Sequence, residues 1–314
     1  MFEYIADLIT YNLFKITENT QLAKAVHFFF YDVFKILFLI FIVVTVISFF
    51  RTFFSPVKTK EFLSKLKFGT GNILASIFGA VTPFCSCSSI PLFIGFIKAR
   101  VPLGIAFSFL ITSPLVNEIV FVMMGGLFGW KLAFIYAVSG ILLGVIAGIV
   151  LGALGMEKEI ILEDYGEVKI KNNLPKVFNE RVKYALKDGK KTFKKLFWFI
   201  IVGVGIGAFI HGYIPQDVFM NYIGKYELLS VPIAVLIGIP IYAGCSTVVP
   251  IIFSITSNGV PLGTSLAFLM SIAGLSLPEG VILKRIMSMK LLLTFFSVVG
   301  IGIILIGYLF NLIT

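Results

Sequence analysis

The chain has 314 residues, of which 58% are hydrophobic and 13% charged, with a mean hydropathy of +1.02 and a formal net charge of +10. A soluble domain carries about 25% charged residues. This composition therefore excludes a soluble enzyme, a disordered chain and a nucleic-acid reader, and it fits an all-α protein that crosses a membrane several times. Residues 1–30 read as an amphipathic N-terminal helix lying in the membrane interface. Phe2, Ile5, Ile9, Leu13 and Ile16 recur there at helical spacing, with Asp7 and Thr10 off that face. A spanning helix needs about 20 mostly apolar residues. Stretches of that kind occupy 31–50, 102–124, 130–153, 196–214, 261–282 and 291–310. Two more apolar stretches, 69–98 and 228–256, are interrupted near their middles by small and polar residues. They read as hairpins that break inside the bilayer or re-enter it. Residues 156–195, with eleven Lys or Arg and seven Asp or Glu, read as a solvated linker. The chain thus divides into the N-terminal helix 1–30, a first transmembrane repeat 31–155, the linker 156–195 and a second repeat 196–314.

The repeat is legible as an ungapped match at an offset of 159 residues. Phe34-Lys35 falls on Phe193-Lys194, Phe38 on Phe197, Ile42-Val43 on Ile201-Val202 and Pro91 on Pro250. Val101-Pro102-Leu103-Gly104 falls on Val260-Pro261-Leu262-Gly263. Charge then decides orientation. Loop 51–67 holds five basic residues and one acid, whereas its counterpart near 211–227 sets Lys225 against Asp217 and Glu227. Placing 51–67, 98–100, 156–195 and 284–290 in the cytoplasm gathers 21 of the 26 Lys and Arg there, leaving Lys131 as the clear misfit. Each half then crosses three times, an odd number, so the halves are expected to be inverted, as in secondary transporters. The basic excess is an orientation signal and calls for no nucleic-acid partner.

Both hairpin breaks are chemically distinctive. The first reads Thr82-Pro83-Phe84-Cys85-Ser86-Cys87-Ser88-Ser89-Ile90-Pro91 and the second Gly244-Cys245-Ser246-Thr247-Val248-Val249-Pro250. All three cysteines of the chain fall in these breaks, and Cys245 lies opposite Ser86 at the common offset. Hydroxyls cap free N–H groups and Pro suits a first turn, so each break reads as the start of a short helix aimed at the centre. Such N-termini favour anions and thiolates, and thiolates are soft ligands. Cys85, Ser86, Cys87, Ser88, Ser89, Cys245, Ser246 and Thr247 are therefore candidate substrate-binding residues, with packing as the plainer alternative. The spans that follow carry a second signal. Ser113-Pro114-Leu115-Val116-Asn117-Glu118 interrupts one and Ser276-Leu277-Pro278-Glu279 the other; matching the two acids requires two residues of drift. Intramembrane acids are costly and mark function by default. Glu118 and Glu279 are thus candidates for coupling a proton or cation, and Asn117 for contacting substrate. Pro83, Pro91, Pro114, Gly244, Pro250 and Pro278 are the expected helix breakers. His27 and His211 read as interfacial, and the glycines of 140–155 as helix packing.

The Thr82–Ser88 run followed by Pro91, Ser113-Pro114 with Asn117-Glu118, and Gly244–Thr247 with Pro250 resemble the predicted permeases of the ArsP type over roughly residues 30–310. The resemblance implies an efflux permease for trivalent organoarsenicals, with roles for Cys85, Cys87 and Cys245 in the substrate path. Any soft, thiol-reactive or sulfur-containing solute fits the same residues. The expectation is a multi-pass permease of the cell membrane. It is not an enzyme, needs no cofactor or resident metal, has lipid and a small solute as partners, and is compatible with a homo-oligomer. A transmembrane thiol-redox protein and a passive channel are the competing classes.

Overall fold

The computed structural model describes residues 2–14, 20–51, 69–82, 86–98, 100–161, 178–213, 229–241, 245–257 and 259–313. Among these, every regular element is helical. A short helix α1 (Phe2–Asp7) runs on as a π-helical segment (Leu8–Leu13). The first half then continues as α2 (Gln21–Arg51), α3 (Thr70–Val81), α4 (Ser86–Lys98), α5 (Leu103–Leu115), α6 (Glu118–Phe128) and α7 (Trp130–Ala153). The second half repeats that order as α8 (Phe178–Tyr213), α9 (Ser230–Gly238), α10 (Cys245–Ser257), α11 (Leu262–Gly274), α12 (Leu277–Leu283) and α13 (Met289–Ile313). The starts Ser86 and Cys245, Leu103 and Leu262, Glu118 and Leu277, and Trp130 and Met289 are each 159 residues apart. From α4 and α10 onward the backbone thus keeps the sequence offset with no drift.

Among the described residues, three helices are long and apolar enough to cross a bilayer: Trp130–Ala153, the α11–α12 stretch Leu262–Leu283, and Met289–Ile313. The pair α5–α6, bent by 42° at its break, makes a fourth if counted as one span. Stretches 31–50 and 196–214 fall within or largely within α2 and α8. Two boundaries differ from expectation. Gln21–Arg51 is one helix, so it begins ten residues before the apolar stretch. Thr20 starts it, its hydroxyl accepting the Ala23 N–H at 3.1 Å. Likewise α8 begins at Phe178, inside the charged segment expected to be linker. Helical hydrogen bonding does not stop where the apolar run stops, so hydropathy marks the slab and not the helix. The N-terminal segment also rotates relative to a regular helix. Thr10, expected off the apolar face, is fully buried, and Asp7 pairs with His27 at 2.9 Å. The π-helical turn shifts the register that 3.6-residue spacing predicts.

Within the first half, α7 packs on α5 along a seam of small residues. Gly140, Gly144, Gly148 and Gly152 recur every fourth position. They meet Val116, Thr112, Ser108 and Gly104, which also recur every fourth position in the opposite direction. A methyl group on Gly148 would press into the Ser108 hydroxyl and lie 2.6 Å from the Gly104 carbonyl. Close backbone approach of this kind is how helices associate in lipid, where apolar bulk gives no advantage over the solvent. Polar side chains stitch the seam to α3: Asn72 Nδ2 donates to Ser108 Oγ at 2.9 Å, and Ser76 Oγ donates to the Ser108 carbonyl at 3.5 Å. The second half repeats the plan with different atoms. Ser271 Oγ donates to the Val235 carbonyl at 2.7 Å. Asn311, where the first half has Gly152, accepts the Thr264 N–H at 3.2 Å and so caps α11 from a neighbouring helix.

The halves meet through their own counterparts. Leu115 and Gly274, 159 residues apart, touch at the ends of α5 and α11; a methyl on Gly274 would lie 3.1 Å from Leu115 Cδ2. Leu143 and Gly302, also 159 apart, meet between α7 and α13. α2 and α8 run antiparallel, with Phe29 beside Gly205, Phe41 against Phe193 and Thr45 against Gly189. Beyond α7, Ile160 forms an antiparallel bridge with Met287, and Ile161 N donates to the Ile286 carbonyl at 2.8 Å. The ends of α7 and α12 are thereby fastened together.

Candidate functional site

Four helix breaks define the site. In the first interrupted stretch, α3 ends at Val81 and is capped by Thr82, whose hydroxyl bonds back to the Phe78 carbonyl at 2.8 Å. Helix α4 restarts at Ser86. In the second, α9 ends at Gly238 and α10 restarts at Cys245. Both expected helix starts are therefore present and at equivalent positions. Pro83, Cys85 and Gly244 lie outside the described residues, as do the side chains of Ser86, Cys87, Ser88, Cys245, Ser246 and Thr247. Ser89 is fully buried. Pro91 and Pro250 sit at the same position of α4 and α10, where each removes the N–H that would bond the carbonyl four residues earlier, that of Cys87 or Ser246. Pro91 is buried and Pro250 exposed.

The other two breaks interrupt the spans that follow. Pro114 lies inside the last turn of α5, the chain turns extended at Val116 and Asn117, and α6 begins at Glu118. Asn117, proposed from sequence as a substrate contact, is buried and caps α6: its Oδ1 accepts the Val120 N–H at 2.8 Å. Asn117→Ala should destabilise the protein by about 1 kcal/mol, while Asn117→Ser should retain most of that, since Ser caps nearly as well. Thermal unfolding in detergent micelles measures both. Tyr136, fully buried on α7, donates its hydroxyl to the Leu115 carbonyl at 3.0 Å, satisfying an acceptor at the break. Sequence reasoning passed over Tyr136; the available signal was a tyrosine inside an apolar span, which needs a partner when buried.

In the second half, Ser276 precedes α12 and Pro278 lies in its first turn. Leu277 N donates to the Ile239 carbonyl at 2.8 Å. That bond joins the end of α9 to the break of the following span. The start of α12 and the end of α9 are thus one structural unit, with Glu279 on it.

The two carboxylates are not counterparts. The helix starts pair Glu118 with Leu277 and Glu279 with Val120. Two residues turn a helix by about 200°, so the acids point to opposite sides of equivalent helices. Glu118 is exposed, whereas Glu279, like Val120, is buried, at 3% exposure. The two-residue drift expected from the sequence was the cost of forcing the acids to match. Of the histidines, His27 pairs with Asp7 at the N-terminal helix, and the His211 side chain lies outside the described residues.

Comparison with known proteins identifies a family. A family model described as "Predicted permease", ArsP_1, matches residues 21–312. The chain is 23% identical over 297 residues to the UPF0718 protein MJ0584 of Methanocaldococcus jannaschii, covering 76% of this chain and 81% of that one. It is 26% identical over 194 residues to a Streptococcus mutans protein named as a putative two-component membrane permease complex subunit, covering 61% of this chain and 63% of that one. It is 22% identical over 239 residues to the UPF0718 protein YraQ of Escherichia coli, covering 76% and 66%. No solved structure matches the chain. With the family model spanning nearly the whole sequence, the chain belongs to the ArsP_1 family of predicted permeases.

Proposed function

We propose that this permease is a secondary transporter of the cell membrane. Its two repeats are inverted, and it exports a small soft or thiol-reactive solute, such as a trivalent organoarsenical or a sulfur compound, by alternating access. The observation that carries the reading is the placement of α4 and α10. Two short helices begin at equivalent positions, Ser86 and Cys245, and all three cysteines lie within one residue of those starts. A helix N-terminus favours anionic groups, and two such starts carrying cysteines suit a soft electrophile or an anion. Cys85, Cys87 and Cys245 would bind the solute, with the hydroxyls of Ser86, Ser88, Ser89, Ser246 and Thr247 orienting it.

Inversion is supported by the antiparallel α2–α8 pair and by the self-meeting pairs Leu115–Gly274 and Leu143–Gly302. A residue that touches its own counterpart lies on a two-fold axis. The Ile160–Met287 bridge supports the charge argument, since it puts the segments after α7 and before α13 at one end of the molecule. We assign that end to the cytoplasm together with 51–67. Glu279 is the coupling residue of this scheme. The name of the Streptococcus mutans relative makes a second chain a candidate partner, alongside lipid and the solute.

The test is flux in proteoliposomes. Cys85→Ser, Cys87→Ser and Cys245→Ser combined should lower transport of a trivalent phenylarsenical, or of a small thiol compound, by at least about tenfold. Wild-type flux for every probe that the parent protein moves would remove the cysteines from the path.

A further inference from the structure

The halves repeat in sequence but differ in surroundings. Helix α2 packs on α4, and α8 packs on α12. A two-fold relation exchanges α2 with α8, α4 with α10 and α12 with α6. It would therefore match these packings with α8 on α10 and α2 on α6. Among the described residues those two packings are marginal at most. Instead α6 and α10 pack directly on each other, with Phe128 edge-on to Phe253 at 5.3 Å, whereas their counterparts α12 and α4 touch only lightly. The α2–α8 pair thus sits on one side of the axis.

Side chains record the same asymmetry. Phe34, Phe38 and Ile42 form a stripe at every fourth position of α2, identical to Phe193, Phe197 and Ile201 of α8. In α8 all three pack against the buried core. In α2 they are 37%, 46% and 40% exposed. Lipid contact accounts for an apolar stripe. It does not account for an identical stripe, at the same offset, being covered.

Resting on the inverted-repeat transporter reading, we propose that the α2–α8 pair changes sides during transport. In the second state the halves exchange arrangements. Phe34, Phe38 and Ile42 seat on α6, α8 moves from α12 onto α10, and the α6–α10 contact opens while α4 and α12 close. Because the α2 and α8 stripes are identical, each can be covered by the same kind of apolar contact in its turn, as a two-state interface requires. The solute path between α4 and α10 is then exposed to one face in each state.

Pulsed electron paramagnetic resonance tests this on the full chain in lipid nanodiscs. Spin labels are carried on azide-bearing residues at Val46 of α2 and Val122 of α6, both exposed, which leaves the native cysteines intact. Two distance populations are expected, one matching this structure and one shorter. Phe34→Ala, Phe38→Ala and Ile42→Ala together should deplete the shorter one. Alanine at Phe134, Leu142 and Ile146, an exposed stripe of α7, should leave both unchanged. A single distribution at the distance of this structure overturns the exchange. Phenylarsenical flux alongside that single distribution would leave the transporter reading standing, and two populations without flux of any probe would remove that reading while keeping the exchange.

Discussion

Gly148→Leu should cost the fold about 3 kcal/mol, the upper end of what inserting bulk into a packed interface costs. Its new side chain has nowhere to go. The Cβ position already abuts the Ser108 hydroxyl and lies 2.6 Å from the Gly104 carbonyl, which is backbone and cannot rotate away. Displacing Ser108 would also disturb the Asn72–Ser108 and Ser76–Ser108 bonds to α3, because both seams share Ser108. The matched control is Gly126→Leu on α6, where nothing lies within 4 Å of the added Cβ; its effect should stay within about 0.5 kcal/mol. Denaturant titration of the purified protein in micelles separates the two. Equal losses would mean that the seam is looser than its geometry.

The second large effect concerns transport. Glu279→Gln should lower flux about 10- to 100-fold, the range of a site-to-site coupling free energy, and should flatten its dependence on pH. Glu118→Gln should change flux far less. The difference follows from placement: one carboxyl is buried at the start of α12 beside the Leu277–Ile239 bond, and the other is exposed on α6. A carboxylate enclosed in an apolar span is costly unless a proton, a cation or hydrogen-bond donors balance it. Loss of binding without loss of pH dependence in the Glu279→Gln protein would move the residue from coupling to substrate contact.

Much of this architecture could be read from the residues. The offset of 159 was visible in Pro, Gly and the Val-Pro-Leu-Gly run, and four of the six pairs of helix starts follow it residue for residue. The breaks were visible because Pro and hydroxyl clusters interrupt apolar runs, and lipid tolerates such interruptions only where backbone groups are satisfied otherwise. What escaped was what hydropathy does not encode. The acids were matched by chemical type, so Glu118 and Glu279 looked like counterparts, whereas the backbone pairs Asn117 with Ser276 and leaves the acids two residues apart. Asn117 looked like a substrate contact because a polar group in an apolar span suggests one; the sequence did not show that it also caps α6. The role of Tyr136 depends on a carbonyl 21 residues away, a separation at which no sequence pattern speaks.

The antiparallel seating of α2 against α8 bears on how the protein is made. Everything the α3–α5–α7 seam needs lies between residues 70 and 153, so that unit can close as soon as α7 leaves the ribosome. Helix α2 is different: its antiparallel companion begins at Phe178, after the whole of that seam has been synthesised. During translation α2 must wait in lipid or against α4, and domains assemble in the order in which their partners emerge. Truncation after residue 155 should therefore yield a first half whose glycine seam is formed and whose first long helix lacks its antiparallel partner α8, a substrate for membrane quality control.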